Sequence, residues 1–324
     1  MTRSVLLTGG LGYVGGRVAE YLAGNTDYEI FVTSRNPATA ALPAWLGKDH
    51  CLRLDVLNEA EVKNACKDVD TVIHLAALNE IESLKDPGKA LLVNGLGTQK
   101  LVRSAEDSGV ARFIYFSTAH IYRSPLEGTI TENSLPRPVH PYAISHRTAE
   151  DFVLAATQTE KFQGIVLRLS NSIGAPINTR VDRWSLIGND LCRQAVITGE
   201  MRLKTAGNQE RDFIPLLDVG RAVSHIVQLP GNAVGDGIFN LGGEKSISII
   251  SLAKLIQERC SAILRFTPPI VLPETSPSRE CIRLEYSIEK LKKTGYRPSG
   301  SIRQEIDNTL IFCRNHLPGL DRYE

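Results

Sequence analysis

No apolar run in this 324-residue chain approaches the roughly 20 residues that cross a bilayer as a helix, so a helical membrane span is excluded. The first strand-like pattern begins within three residues of Met1, which leaves no room for a signal peptide and sets the expectation of a cytoplasmic protein. An excess of charge of either sign is missing too: 37 Lys and Arg face 36 Asp and Glu, a formal net charge of +1. Without a Lys/Arg block, neither nucleic acid nor an anionic membrane is expected as the main partner, while small charged molecules remain open. The six cysteines (Cys51, Cys66, Cys192, Cys260, Cys281 and Cys313) show no CxxC or Cys/His spacing. A metal site or a disulfide framework is therefore not expected, and they read as reduced core thiols. The chain has no internal repeat and no low-complexity tract.

What is present is concentrated at the N-terminus. Val5-Leu6-Leu7 runs into Thr8-Gly9-Gly10-Leu11-Gly12-Tyr13-Val14-Gly15, followed by the helical pattern Val14, Val18, Tyr21, Leu22. A strand, a glycine turn and a helix N-terminus let backbone N–H groups approach a pyrophosphate closely. Gly10, Gly12 and Gly15 satisfy GxGxxG, and Gly9, Gly12 and Gly15 the GxxGxxG variant, in the setting that gives the motif its meaning. The second strand ends in Thr33-Ser34-Arg35, with no acid to accept from a ribose 2′-hydroxyl as NAD sites usually provide. Hydroxyls and a guanidinium suit a 2′-phosphate, which favours NADP(H) and leaves NAD(H) possible. The alternative for Arg35 is a solvated loop cation.

Along the first half, apolar strands (5–7, 30–33, 51–54, 71–75, 113–117, 165–169) alternate with helical patterns. That alternation predicts an α/β fold, a Rossmann-type doubly wound parallel sheet whose ligand lies beyond the strand carboxyl ends. Asp55 and Val56 follow the third strand, where Asp55 fits either an adenine amino group or a simple turn. His74-Leu75-Ala76-Ala77 follows the fourth, with small residues that admit a cofactor. Periodicity weakens after Ser170. The expected organisation is a dinucleotide-binding domain over residues 1–170, to which 216–243 returns, and a smaller substrate-binding region over 171–215 and 244–324.

Taken together, Thr8 to Gly15, Leu54-Asp55-Val56, His74 to Ala77, Asn94-Gly95-Leu96-Gly97-Thr98, Phe116-Ser117-Thr118, Tyr142, Leu167 to Asn171, Arg211-Asp212-Phe213 and Phe239 to Gly243 resemble the extended short-chain dehydrogenases/reductases, the group of nucleotide-sugar epimerases, dehydratases and reductases. The resemblance covers nearly the whole chain. It implies cofactor contacts from Gly9, Gly12, Tyr13, Val14, Gly15, Ser34, Arg35, Asp55, Val56, Leu75, Ala76, Ala77 and Asn94. It implies Thr118 and Tyr142 at the reacting oxygen, and a nucleotide sugar held by Asn171, Arg211 and Arg279. It also implies a homodimer through the helices around Asn94 and Tyr142.

The chain departs from the family pattern at one catalytic position. A phenol of pKa about 10 is a poor base near neutrality unless a cation favours its ionised form. The family places a lysine four residues after the tyrosine, on the same helix face; here that residue is His146. Three outcomes are open: a protonated imidazole does the lysine's work, it orients a water, or the site binds without turnover. After Thr118 the family's dehydratases carry acidic residues, whereas this chain has Ala119-His120, which speaks against a 4,6-dehydratase. His120 fits a general acid/base on the sugar or a strand-end histidine bonded to backbone. His140, His225 and His316 show no partner spacing. The expected activity is NADPH-dependent reduction of the keto group of a nucleotide-activated 4-keto-6-deoxy sugar. The alternatives are a nucleotide-sugar 4-epimerase with tightly bound NAD(P) and a non-catalytic NADP(H)-binding regulatory protein.

Overall fold

The computed structural model describes residues 3–158, 162–274 and 283–317; Arg279 and Cys281 lie outside them. Seven parallel strands form the central sheet in the order Ile238–Leu241, Gln163–Leu169, Arg112–Thr118, Thr71–His74, Ser4–Thr8, Glu29–Ser34, Cys51–Arg53. This is a Rossmann-like α/β fold. Every residue of Ser4–Thr8 is buried, which is why the strand reads as a continuous apolar run rather than an alternating one. Chain order reverses between Ser4–Thr8 and Thr71–His74, and the crevice beyond their carboxyl ends is the topological switch point where such sheets take ligands.

Helices cover both faces. On one, Tyr13–Asn25 and Leu216–Gln228 bury Val18, Leu22, Val219 and Val223 against Leu7, Ile114 and Leu167. On the other, Glu59–Ala65, Gly97–Asp107 and Pro141–Thr157 bury Val62, Leu101, Ala105, Ala149 and Val153 against Leu6, Phe113 and Val166. Helices Ile187–Ile197, Ile249–Leu264 and Ile302–His316 enclose a third core of Leu191, Phe213, Leu252, Ile256, Ile306 and Leu310. It is capped by a small sheet in the order Ser246–Ser248, Glu210–Pro215, Asn171–Ile173. Cys192, Cys260 and Cys313 are buried free thiols in that third core. Among the described residues no helix is long and apolar enough to cross a membrane.

The helix Pro141–Thr157 is the element that matters most for the site, and its position is heavily determined. It opens with Pro141 at its first position and with the His140 Nδ1 accepting the Tyr142 N–H at 3.2 Å. Farther along, Glu150, wholly buried, takes two hydrogen bonds from Arg168 at 3.0 and 2.8 Å, and Arg168 also donates to the Tyr122 hydroxyl at 2.8 Å. A buried bidentate pair of this kind fixes helix against strand directionally, because losing one partner strands the other's charge.

Candidate active site

The glycine turn is built for close approach. Gly9 has φ of +70°, and a Cβ there would sit 2.9 Å from the Ala76 backbone nitrogen. A Cβ on Gly15 would meet the Gly9 carbonyl oxygen at 2.2 Å. Helix Tyr13–Asn25 begins at Gly12 with no side-chain cap, so its first N–H groups stay available for an anion. These features fit a dinucleotide pyrophosphate. Tyr13 contributes only backbone to that surface: its buried side chain donates to the Gly174 carbonyl at 3.0 Å and the Asn189 Oδ1 at 3.2 Å, tying the first helix to the second region.

At the adenosine end, Arg35 is exposed and makes no ion pair among the described residues, while the Ser34 hydroxyl accepts the Asn36 N–H at 3.2 Å. Asp55, also exposed, uses Oδ1 to close a turn onto the Leu57 N–H at 2.9 Å. Val56 is buried against Gly97, where a Cβ would come within 2.6 Å of its Cγ2.

A buried hydrogen-bond chain links the glycine turn to the helices. The Thr98 hydroxyl donates to the Asn94 carbonyl at 2.5 Å and so accepts from His74 Nε2 at 2.9 Å. His74 Nδ1 then accepts from the Thr8 hydroxyl at 2.5 Å, whose oxygen receives the Leu75 and Ala76 N–H groups, each at 3.2 Å. Burial drives the His74 pKa down to about 3, leaving the neutral ring this donor order requires. Leu75 and Ala76 are thus held against Gly9, with Ala77 exposed beyond them.

Asn94 lies in a π-helical stretch, Leu91–Leu96. Its side chain accepts the Leu78 N–H at 2.7 Å and donates to the Ser145 hydroxyl at 2.9 Å, and Ser145 donates to the Tyr142 carbonyl, also at 2.9 Å. The polar and glycine residues that disfavour helix here are explained by tertiary contact: Gly95 abuts Thr148, with 3.3 Å between a Cβ and its Cγ2.

Thr118, Tyr142 and His146 come together at the carboxyl end of Arg112–Thr118. The Thr118 hydroxyl acts on the Tyr142 phenol to lower its pKa, and its oxygen accepts the His120 N–H at 3.2 Å. The Tyr142 and His146 rings meet edge-on with centroids 4.4 Å apart. His146 is buried, and its Nδ1 pairs with the Tyr115 hydroxyl at 2.6 Å. Burial pushes its pKa down to about 3, with the Phe116 carbonyl acting the other way. Burial thus disfavours the charged imidazole, and with it the protonated surrogate for lysine. Nε2 of the same ring makes no well-formed hydrogen bond among the described residues. Burial likewise raises the Tyr142 pKa to about 12, with Arg183 acting to lower it and Glu80 to raise it.

On the substrate side, His120 faces Arg211, Glu80 and His140, and desolvation followed by the Arg211 charge holds its pKa below the usual imidazole value. Arg211 meets only the Gln209 amide oxygen, at 3.4 Å, and forms no ion pair among the described residues. Asn171 donates to the Asp212 carbonyl at 3.0 Å. Asp212 is buried, accepts from Ser170 and from the Gly243 N–H at 2.8 Å, and is pushed up to about 6 by desolvation. It thereby ties three of the sequence motifs into one unit. Among the described residues no cluster of His, Cys, Asp or Glu could hold a metal.

Residues 5–242 match the NAD dependent epimerase/dehydratase family. The chain belongs to that family. It is an extended short-chain dehydrogenase/reductase by sequence and fold alike. Over 97% of its length it is 28% identical to a dTDP-D-glucose 4,6-dehydratase of Mus musculus, covering 90% of that protein. Over 94% it is 26% identical to a GDP-6-deoxy-D-mannose reductase of Pseudomonas aeruginosa, covering 95% of it. Among solved structures, RMD from Pseudomonas aeruginosa complexed with NADPH superposes with a TM-score of 0.77 at 25% identity, covering 97% of this chain and 98% of that one. A UDP-glucose 4-epimerase of Thermus thermophilus in complex with NAD gives 0.79 at 22%, covering 97% and 100%.

Sequence reasoning missed three features of this family member's site: Tyr115 behind His146, and the charged pair Glu80 and Arg183. Arg183 Nη2 lies 3.1 Å from Glu80 Oε2. Tyr115 sits three residues before Thr118 on the same strand, and period-2 alternation turns it to the opposite face, so its spacing from Thr118 carries no signal. The pair is 103 residues apart in sequence, and no local signal joins them.

Proposed function

We propose that the protein is an NADPH-dependent reductase acting on the keto group of a nucleotide-activated 4-keto-6-deoxy sugar, with Tyr142 as the proton donor. The observation that carries this reading is the setting of Tyr142: four residues on stands His146 rather than a lysine, its ring edge-on to the phenol with centroids 4.4 Å apart, and burial acts against the ionised forms of both groups. A phenol so placed arrives at the reaction protonated and serves as an acid. An epimerase needs the same residue first as a base, which this environment disfavours. Arg35, free of ion pairs among the described residues at the end of the second strand, supports a 2′-phosphate; of the similar structures, one holds NADPH and another NAD.

When bound, NADPH supplies a hydride to the carbonyl carbon. The chain's own work is to hold it through the Gly9–Gly15 turn, the uncapped helix at Gly12 and Arg35, and to place the carbonyl. Thr118 orients the phenol, Tyr142 gives its proton to the carbonyl oxygen, and the resulting phenolate regains a proton from solvent. Arg211 and Asn171 hold the diphosphate, and His120 borders the sugar.

The test is NADPH consumption, followed by its near-ultraviolet absorbance, with a panel of nucleotide 4-keto-6-deoxy sugars. Tyr142→Phe should lower kcat by about 10²- to 10⁴-fold. Arg35→Ala should cost about tenfold or more in preference for NADPH over NADH, as loss of one charge-assisted contact implies. Co-purifying cofactor that turns over without net consumption would instead establish an epimerase; cofactor binding with no turnover would establish a binding protein. We also propose that the protein is a homodimer through the helices carrying Asn94 and Tyr142.

A further inference from the structure

The ring that stands beside the Tyr142 phenol is itself held by a second tyrosine, from the sheet. Tyr115 lies on the strand Arg112–Thr118 and is buried with Leu101, Ala149 and Val153 in the core beneath the helix Pro141–Thr157. Its hydroxyl is 2.6 Å from His146 Nδ1, and the two ring centroids are 5.7 Å apart. The same imidazole meets the Tyr142 ring edge-on, with centroids 4.4 Å apart. Sheet, imidazole and proton donor are thus joined by direct contacts.

The pair admits two arrangements of protons. In one the phenol donates to Nδ1 and the ring proton sits on Nε2. In the other Nδ1 donates to the phenol oxygen, and the phenol hydrogen needs an acceptor of its own. Among the described residues the Tyr115 hydroxyl bonds nothing but His146. His74, with its ring centroid 5.6 Å from that of Tyr115, has both nitrogens engaged by Thr8 and Thr98. Glu150, the carboxylate that acts on Tyr115, is taken by Arg168 and Arg147. The second arrangement therefore strands a buried O–H in the core and leaves Nε2 bare, whereas the first leaves only the Nε2–H unpaired. The phenol is also the more acidic partner and the imidazole the more basic, which favours donation in the same direction.

We infer that Tyr115 is a positioning residue for the reaction: by donating to Nδ1 it fixes the plane of His146 against Tyr142 and holds the ring proton on Nε2. This rests on the reading of Tyr142 as proton donor. With Nδ1 occupied and Nε2 protonated, the imidazole has no free lone pair in its plane and cannot act as the base that takes the phenol proton. Tyr142 keeps that proton until the carbonyl oxygen receives it. A hydroxyl in the sheet thereby decides that the group at position 146 is a neutral donor.

The experiment reads the ring directly. Protein carrying isotope-labelled nitrogen in its seven histidines gives long-range proton–nitrogen correlations that separate the protonated from the bare nitrogen of a neutral imidazole. The His146 signals are those lost in His146→Ala. Wild type should show a protonated Nε2 and a bare, hydrogen-bonded Nδ1. Tyr115→Phe removes the hydroxyl and keeps a ring in the core; it should shift the Nδ1 signal or mix the two tautomers. With substrate, Tyr115→Phe should lower kcat several-fold, up to about tenfold, as loss of one hydrogen bond implies, with little change in KM. In the His146→Ala background the same substitution should add no further loss, because its effect runs through the imidazole. A tyrosine that only packs would lower kcat equally in both backgrounds, and that result would overturn the inference. A wild-type ring protonated on Nδ1 would overturn it without any variant. The spectrum needs no substrate, so the two readings can fail separately. An Nε2–H ring in a protein that reduces no keto sugar leaves the Tyr115–His146 assignment standing and removes the proposed function. An Nδ1–H ring in an active reductase removes this inference and leaves the proposed function.

Discussion

His146 shows how far a residue's chemistry departs from its identity once its surroundings are known. Its place four residues after Tyr142 is readable from spacing, but its charge is not, because desolvation is a property of the packed molecule. The same burial makes a pH prediction. An unfolded imidazole takes a proton below about 6.5, whereas His74 and His146 do so in the native protein only near pH 3. Their folded values are depressed, so for these bases native stability is full above about 6.5 and is lost as pH falls toward 3, at about 1.4 kcal/mol per pH unit for each ring. Between pH 6.5 and 5 that amounts to about 2 kcal/mol per imidazole. Asp212 runs the other way: its raised pKa of about 6 costs stability as pH rises through the carboxylate range, and part of that returns on acidification. The net expectation is a falling thermal midpoint from pH 7 to 5, and a shallower acid slope in His146→Gln. A slope identical to wild type would show that the ring is charged in the native protein.

At the scale of elements, the strand-turn-helix at the N-terminus was legible because each glycine meets a local demand. Gly15 is the sharpest case, since a methyl group there must displace the Gly9 carbonyl. Gly15→Ala should therefore weaken NADPH binding at least tenfold and cost about 1–3 kcal/mol in a urea melt, the usual penalty of overpacking. Gly24 on the same helix has nothing within 4 Å of an added Cβ. Gly24→Ala should leave binding unchanged and add roughly 0.5–1 kcal/mol through helix propensity. Equal effects at both positions would refute the steric account. The short strands Asn171–Ile173, Ser246–Ser248 and Leu284–Tyr286 left no comparable signature, because three residues carry too little periodicity to separate strand from loop. The π-helical stretch around Asn94 was equally hidden: its reason is the grip on Leu78 and Ser145, contacts that sequence does not display.

At the scale of the whole molecule, strand order and the switch-point crevice follow from strands alternating with helices, since right-handed crossovers leave few other arrangements. What did not follow is which distant loops meet over the crevice, and Glu80 with Arg183 is the outcome. Surface is the other global property that sequence conceals, because exposed and core apolar stripes share one spacing. In the folded protein Ile81, Leu84, Leu91, Leu92, Leu96, Ile144 and Phe152 are all exposed, on the helix Pro141–Thr157 and on the helix Glu80–Lys85 and the π-helical stretch Leu91–Leu96 that each pack against it. Water is a poor neighbour for that many large side chains on adjoining helices, and a second copy of the same surface would cover them with two-fold symmetry. Light scattering should accordingly give twice the chain mass for wild type. Leu92→Glu combined with Phe152→Glu should give a monomer, by placing like charges where the two copies meet. Leu272→Glu, an equally exposed position in the second region, should leave the dimer intact. Because Phe152 shares a helix with Tyr142 and Leu92 flanks Asn94, the monomer should also lose kcat several-fold while still binding NADPH through the glycine turn. A wild type that scatters as a monomer, or a double variant that remains dimeric, would move the contact to another face.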